Sequence, residues 1–198
     1  AVLPFSVLEE ASKGVLEFAN LGMSILEISH RAKEFEAVLN ETEKNLLDLM
    51  SLSSEEYKIL FLQGGASLQF CMIPMNFLNK EDTADYIHTG TWSKGAIKEA
   101  KLFGNVHIAA TSEDKKFNYI PGKFNWTSGA SYIHVTSNNT IEGTQFHEFP
   151  DTGNVPVMVD MSSDMLSRKL DFSKFDIIYA GAQKNLGPAG VTIVVLKK

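Results

Sequence analysis

The chain has 198 residues, 44% hydrophobic and 21% charged, with a formal charge of −6. This is ordinary globular composition with ample material for a buried core, and the acidic balance and scattered lysines leave no electrostatic footprint for nucleic acid. The single cysteine, Cys71, excludes an intramolecular disulfide and suits a reducing, cytoplasmic compartment; no apolar run is long enough to cross a bilayer.

The first fifth of the chain is helical in pattern. Ser6 is placed to cap a run through Val7, Leu8, Ala11, Val15 and Phe18, with Gly22 as a later breaker. After Ser29 a second helix is expected, since Phe35, Val38, Leu39, Leu46 and Leu49 recur on one face. Residues 51–56 are polar and turn-like. Short apolar runs then follow at 57–62, 84–88, 106–110, 132–136, 155–160 and 176–180, with amphipathic segments at 67–78 and 94–103 between some of them. Strands alternating with helices predict an α/β fold, with a mostly parallel sheet covered by helices on both faces. The run at 191–196 follows a short link containing Gly187, Pro188 and Gly190, too short for a crossover, so it should lie antiparallel to its predecessor. A chain ending on a core strand is expected to be part of something longer. Cys71, flanked by Phe70, Met72 and Ile73, reads as a buried hydrophobe. The start lacks the basic flank and apolar run of a signal peptide, and the five histidines show no metal-ligand spacing.

In open α/β sheets ligands sit beyond the C-terminal ends of the strands, and four such ends are chemically unusual. Gly64-Gly65-Ala66-Ser67 leaves backbone N–H groups at a helix start, which suits a phosphate; a plain tight turn is the alternative. It fits neither the Walker pattern nor GxGxxG, so nucleotides are poorly supported. Trp92, in Thr89-Gly90-Thr91-Trp92-Ser93, could cover a flat aromatic ligand or pack against the sheet end. Asp160 closes an apolar strand, where a carboxylate needs a cationic partner such as a protonated ring nitrogen; capping the next element is the other option. Lys184, among small residues just past another strand, is unlike a lysine on a solvated face, and a desolvated lysine becomes a nucleophile toward aldehydes. A phosphate cradle, an aromatic plate, a carboxylate and a lysine together match the parts of pyridoxal 5'-phosphate.

Ala182-Gln183-Lys184-Asn185 with Gly187-Pro188-Ala189-Gly190 resembles the cofactor-lysine segment of the phosphoserine aminotransferase family, within the class V, fold-type I enzymes. Ser29-His30-Arg31, Gly64-Gly65-Ala66-Ser67, Gly90-Thr91-Trp92, Asn138-Asn139-Thr140-Ile141-Glu142-Gly143 and Asp160 with Ser162-Ser163 agree in order, so the likeness spans essentially the whole chain.

The resemblance implies that Lys184 holds the cofactor aldehyde as a Schiff base and shuttles the substrate proton. It implies that Asp160 pairs with the ring nitrogen, Trp92 stacks on the ring, and Ala66 and Ser67 bind the phosphate with help from Gln183. Thr140 would hydrogen-bond the cofactor. His30 and Arg31 would read the distal anion of phosphoserine or glutamate across the interface of a homodimer. Residues 1–198 would be the cofactor-binding large domain with an N-terminal helical segment. A C-terminal domain beyond Lys198 would supply further substrate-binding residues, so these residues alone would be inactive. Some family members carry arginine where Ser67 stands, which shifts anion binding toward His30 and Arg31. The rival readings are another class V aminotransferase or a non-catalytic α/β binding module. Neither metal, nucleic acid nor membrane is expected as a partner.

Overall fold

A computed structural model describes residues 2–198. Two helices come first: α1 (Phe5–Leu16) and α2 (Lys33–Met50). Helix α1 starts one residue before the expected Ser6 cap. Pro4, with φ already at −56°, precedes the first turn, and its carbonyl accepts from the amides of Val7 and Leu8. None of its residues is buried, and Phe5, Val7, Leu8, Val15 and Leu16 all stand exposed. Helix α2 buries Leu46, Leu47 and Met50 and stops at Ser51, which adopts the left-handed conformation and turns its amide back to the last carbonyls.

The sheet follows in alternation: β1 (Tyr57–Leu62), α3 (Gly65–Phe77), β2 (Thr83–His88), α4 (Thr91–Ala100), β3 (Asn105–Thr111), β4 (Ile133–Thr136), the short pair β5 (Asn138–Asn139) and β6 (Thr144–Gln145), then β7 (Val157–Asp160), β8 (Ile177–Gly181) and β9 (Thr192–Lys197). The seven-stranded sheet runs β1-β9-β8-β7-β4-β2-β3. From β8 to β3 all neighbours are parallel, while β9 is antiparallel to both β8 and β1, as its short link requires. Strand β1 therefore points the same way as β8, and the C-terminal ends of β1, β2, β4, β7 and β8 share one edge.

Alternation along each strand divides the core. Met158, Ile177, Tyr179, Ala84 and Tyr86 face α3 and α4, where Phe70, Ile73, Ala96, Ile97 and Ala100 meet them. Val157, Val159, Ile178, Ala180 and Ile87 face the other way, against Leu46, Leu47 and Met50 of α2. Helices thus lie on both faces, as expected, and on the second face irregular chain joins α2. The links after β3 and β4 are rich in Gly, Pro and Asn, which disfavour helix, and they cover the sheet with aromatic rings instead. Phe146 stacks on Phe149, Phe149 meets Phe175 edge-on, and Phe124 stacks on Trp126. Cys71, on α3, is partly exposed rather than buried. No helix among the described residues is long and apolar enough to cross a membrane.

Ile178 is fully buried on β8, between β7, which presents Asp160, and the antiparallel β9. Ile178→Ala should destabilise the protein by about 2–5 kcal/mol through lost burial and a residual cavity. Chemical unfolding would show this as a lower midpoint with an unchanged slope.

Candidate active site

The shared edge holds a cavity of about 130 Å³ lined by Gly65, Ala66, Ser67, Phe70, Trp92, Thr136, Asn138, Asp160, Ser162, Ser163, Gln183 and Lys184. Six of the residues singled out in the sequence, Ala66, Ser67, Trp92, Asp160, Gln183 and Lys184, are thus brought together. They arrive from four strand ends, those of β1, β2, β7 and β8, each for an identifiable reason.

Between β1 and α3 the backbone turns through Gly64 at φ +88° and Gly65 at φ +67°, left-handed values that glycine accepts without strain. At Gly64 a side chain would also strike Leu68, 2.4 Å from where its Cβ would stand. The first intrahelical bond of α3 runs from Leu68 N to Gly64 O, and no side chain caps the helix. The amides of Gly65, Ala66 and Ser67 therefore precede the helical ladder at the positive end of the helix dipole, beside the Ser67 hydroxyl. This arrangement suits an anion.

On β4 and β7, Thr136 and Asp160 are register partners. Asp160 is only 5% exposed. Its Oδ1 accepts from the Ser162 amide at 2.9 Å and the Ser162 hydroxyl at 2.7 Å, so the carboxylate does cap the turn that follows, although no helix forms there. Burial raises the Asp160 carboxyl above its ordinary 3.8; the Ser162 hydroxyl and amide and the positive charge of Lys184 oppose the rise, and Asp164 adds to it. Thr136 Oγ1 is buried with no hydrogen-bond partner.

Strand β8 ends at Gly181, and the chain makes one helical turn in which Leu186 N and Gly187 N both return to Ala182 O. Gly181 leaves room for the Gln183 amide, whose Oε1 would lie 2.9 Å from a Cβ there. Ser162 Oγ accepts from Gly181 N at 3.2 Å, which ties the Asp160 turn to the Lys184 turn. Lys184 is half-buried rather than sealed from water. Its Nζ stands 4.7 Å from the centre of the Trp92 ring and 3.5 Å from Thr140 Oγ1. Thr140 is itself exposed and outside the cavity lining, on the turn between β5 and β6, and it accepts from Trp92 Nε1 at 3.1 Å.

Beneath the cavity the packing is polar but uncharged. His134 Nε2 and the Tyr179 hydroxyl are 2.8 Å apart, Tyr86 stacks on the imidazole, and the Tyr86 and Tyr132 hydroxyls pair at 2.8 Å. Burial pushes the His134 imidazole down to about 3, so it stays neutral.

The site therefore offers an anion receptor at one end, an indole plate, a buried carboxylate with Oδ1 already committed, and an amine. This donor set fits pyridoxal phosphate in kind: an anion receptor for a phosphate, an indole for an aromatic ring, a carboxylate for a protonated ring nitrogen and an amine for an aldehyde.

The family description Aminotransferase class-V matches residues 1–198. The chain belongs to the class-V aminotransferases. It is 55% identical over 198 residues to a phosphoserine aminotransferase of Desulfosudis oleivorans, and all of it aligns with 55% of that relative. Its fold matches the solved phosphoserine aminotransferase of Bacillus circulans subsp. alkalophilus at a TM-score of 0.96 and 52% identity, over 100% of this chain and 55% of the other. A second solved relative, a pyridoxal-phosphate-bound phosphoserine aminotransferase from Trichomonas vaginalis, gives 0.91 at 36% identity, over 100% of this chain and 56% of the other. The chain thus spans about half the length of the relatives it matches.

Within this class-V chain, His30 and Arg31 are not part of the cavity. They lie exposed in the segment between α1 and α2, where Ser29 Oγ accepts the Arg31 amide at 3.2 Å. Conversely, neither Phe70 nor Thr136 was expected as a site residue. Thr136 could have been found from the strand pattern, as the last residue of the run at 132–136, on the side of its strand that carries His134. Phe70 gave only the signal of a helix core residue. It meets Tyr179 edge-on beneath the site.

Because burial raises the Asp160 carboxyl, its ionised form is less favourable in the folded chain than in the unfolded one at neutral pH. Asp160→Asn keeps an oxygen for Ser162 and removes that cost. The cofactor-free variant should melt above the parent at pH 7, and the advantage should shrink as pH falls toward 3.8. Thermal melts at several pH values check this, and a variant less stable than the parent at pH 7 contradicts it.

Proposed function

We propose that the whole protein is a pyridoxal-phosphate-dependent phosphoserine aminotransferase that exchanges an amino group between phosphoserine and 2-oxoglutarate, in either direction, in serine biosynthesis. The observation that carries this is the meeting of Lys184, Asp160, Trp92 and the α3 start around one cavity. Residues 1–198 are read as its large, cofactor-binding domain.

Pyridoxal phosphate, the cofactor of class-V aminotransferases, supplies an electron-accepting ring that lets the Cα–H bond of a bound amino acid break. The α3 amides and Ser67 hold its phosphate, with Gln183 alongside. Trp92 covers one ring face. Asp160, buried and lacking a full counter-ion, holds a proton on the ring nitrogen, and Ser162 fixes the orientation of the carboxylate. Lys184 Nζ would hold the cofactor through its aldehyde carbon, and the same amine would take the proton from the substrate Cα and return it in the reverse half of the exchange. Thr140 steadies both Lys184 and Trp92.

His30 and Arg31 read the distal anion. The planar guanidinium accommodates phosphate and carboxylate alike, so one site serves both amino acids in turn. Their exposed position outside this chain's own cavity supports action in the site of a second subunit, and the exposed apolar face of α1 supports a homodimer. The single cysteine fits a cytoplasmic enzyme.

Borohydride reduction of the full-length protein with pyridoxal phosphate, followed by peptide mapping, tests the central assignment. Label is expected on Lys184, and label elsewhere, or none, turns the reading toward a non-catalytic binding module. Lys184→Ala should lower turnover by at least about 10²–10⁴-fold, the scale of a lost acid–base group. Arg31→Ala should raise KM for phosphoserine about tenfold or more, from loss of a charge-assisted hydrogen bond. An unchanged KM would remove Arg31 from substrate binding.

A further inference from the structure

We propose that Glu142 is a positioning residue for the aromatic plate: its carboxylate clamps the first turn of α4 and so fixes where Trp92 stands over the cavity. The proposal rests on the reading of Trp92 as a cofactor-stacking residue.

Glu142 lies on the turn between β5 and β6, 51 residues from its partner, Thr91. Its Oε1 accepts from the Thr91 amide at 2.7 Å and from the Thr91 hydroxyl at 2.7 Å. That amide is one of the helix-start donors with no intrahelical acceptor, and a carboxylate there also meets the positive end of the helix dipole. The rest of the first turn is held by Ser93, whose Oγ accepts from the amides of Thr89 and Gly90. Trp92 sits between these two anchors.

The fit around Glu142 is close. Oε2 packs over Gly90, where a Cβ would lie 2.5 Å from it and 3.0 Å from Asn139 Oδ1. Gly90 is extended, at φ 161°, so the backbone would accept any residue, and the glycine serves to admit the carboxylate. The same turn presents Thr140, whose Oγ1 takes the Trp92 Nε1 hydrogen at 3.1 Å. The residue before the tryptophan and the tryptophan ring are thus held by one turn, closed by Gly143 N to Asn139 O at 2.8 Å. The base of that turn is fixed in its own right, because the buried Asp164 accepts from Ser137 and from Gln145. Loss of the Glu142 carboxylate leaves the turn anchored but disconnects it from α4. An indole fixed before the ligand arrives spares the ligand the cost of ordering it.

The test uses the full-length protein and four variants: Trp92→Ala, Glu142→Ala, Glu142→Gln and the Trp92→Ala/Glu142→Ala pair. Three quantities are read: the pyridoxal phosphate dissociation constant, the circular dichroism band of the bound cofactor, and the melting temperature of the cofactor-free protein. Glu142→Ala should weaken cofactor binding by about twofold to tenfold, the range of one aromatic contact, and should shift the dichroic band. Glu142→Gln keeps an acceptor for Thr91 and should restore both. The double variant should bind no more weakly than Trp92→Ala alone, since a clamp with nothing to hold has no effect.

Full additivity of the two losses overturns the proposal, as does a Glu142→Ala variant with lowered melting temperature but parental affinity and dichroism. If Trp92→Ala itself leaves affinity and dichroism unchanged, the plate reading fails first and the clamp falls with it. Should Glu142→Ala not fold, Thr91→Val, which removes one of the two donors, takes its place in the same cycle.

Discussion

Burying a carboxylate at the end of a central strand obliges its surroundings to compensate it. Asp160 is held at such a point, the register partner of Thr136 on β4 and of Tyr179 on β8. Little of the compensation is internal. Ser162 supplies two hydrogen bonds, both to one oxygen, and the layer beneath offers a neutral histidine and tyrosine rather than a cation. The positive charge that opposes the rise is on Lys184. A ligand that brings a proton to Asp160 therefore binds with a free energy partly stored in the folded protein beforehand, because the cost of the unpaired charge is met during folding. Under the proposed function the same lysine engages the ligand chemically, which would couple the two interactions through one ring.

Convergence follows from topology. Strands β7 and β8 are parallel neighbours, so the Asp160 and Lys184 turns leave the sheet side by side, and Ser162 joins them by bonding both the carboxylate and Gly181 N. Strands β4 and β2 bring the other half, Thr136 and the α4 start. The β5–β6 turn bridges the halves: Asp164 fastens its base on the β7 side and Glu142 its tip on the α4 side. No single loop builds the site. Each contact between neighbouring turns constrains the next, and this is what holds side chains from five strand ends around a small volume.

Much of this was legible in the sequence. Apolar runs bounded by turn residues located the strands of the main sheet to within a residue or two, because buried parallel strands need continuous β-branched and aromatic stretches. The short link before β9 settled its direction on length alone. Asp160, Trp92 and Lys184 stood out because each residue type was out of keeping with its position. What escaped had no local period or composition to betray it. The rings that cover the second face come from irregular chain and find their places only through the sheet they pack on. Thr136 is an ordinary strand residue until its register beside Asp160 is known. Glu142 and Thr91 are 51 residues apart, and nothing near either one names the other. His30 and Arg31 were named only through the family resemblance, and they lie exposed outside the cavity.

The glycines at the site's edge show why composition underdetermines structure even where it is informative. Gly64 and Gly65 stand at positive φ, and there the residue is chosen for its backbone: a side chain would strain the turn that frees the α3 amides. Gly90 is extended, and there the residue is chosen for its emptiness, because the space a methyl group would take is filled by Glu142. The two uses look alike in the sequence and fail differently. Alanine at Gly65 meets no atom within 4 Å and disturbs only the backbone conformation. Alanine at Gly90 fits the backbone and displaces a carboxylate, and through it the first turn of α4. The anion receptor and the aromatic plate thus depend on one residue type through independent physical requirements.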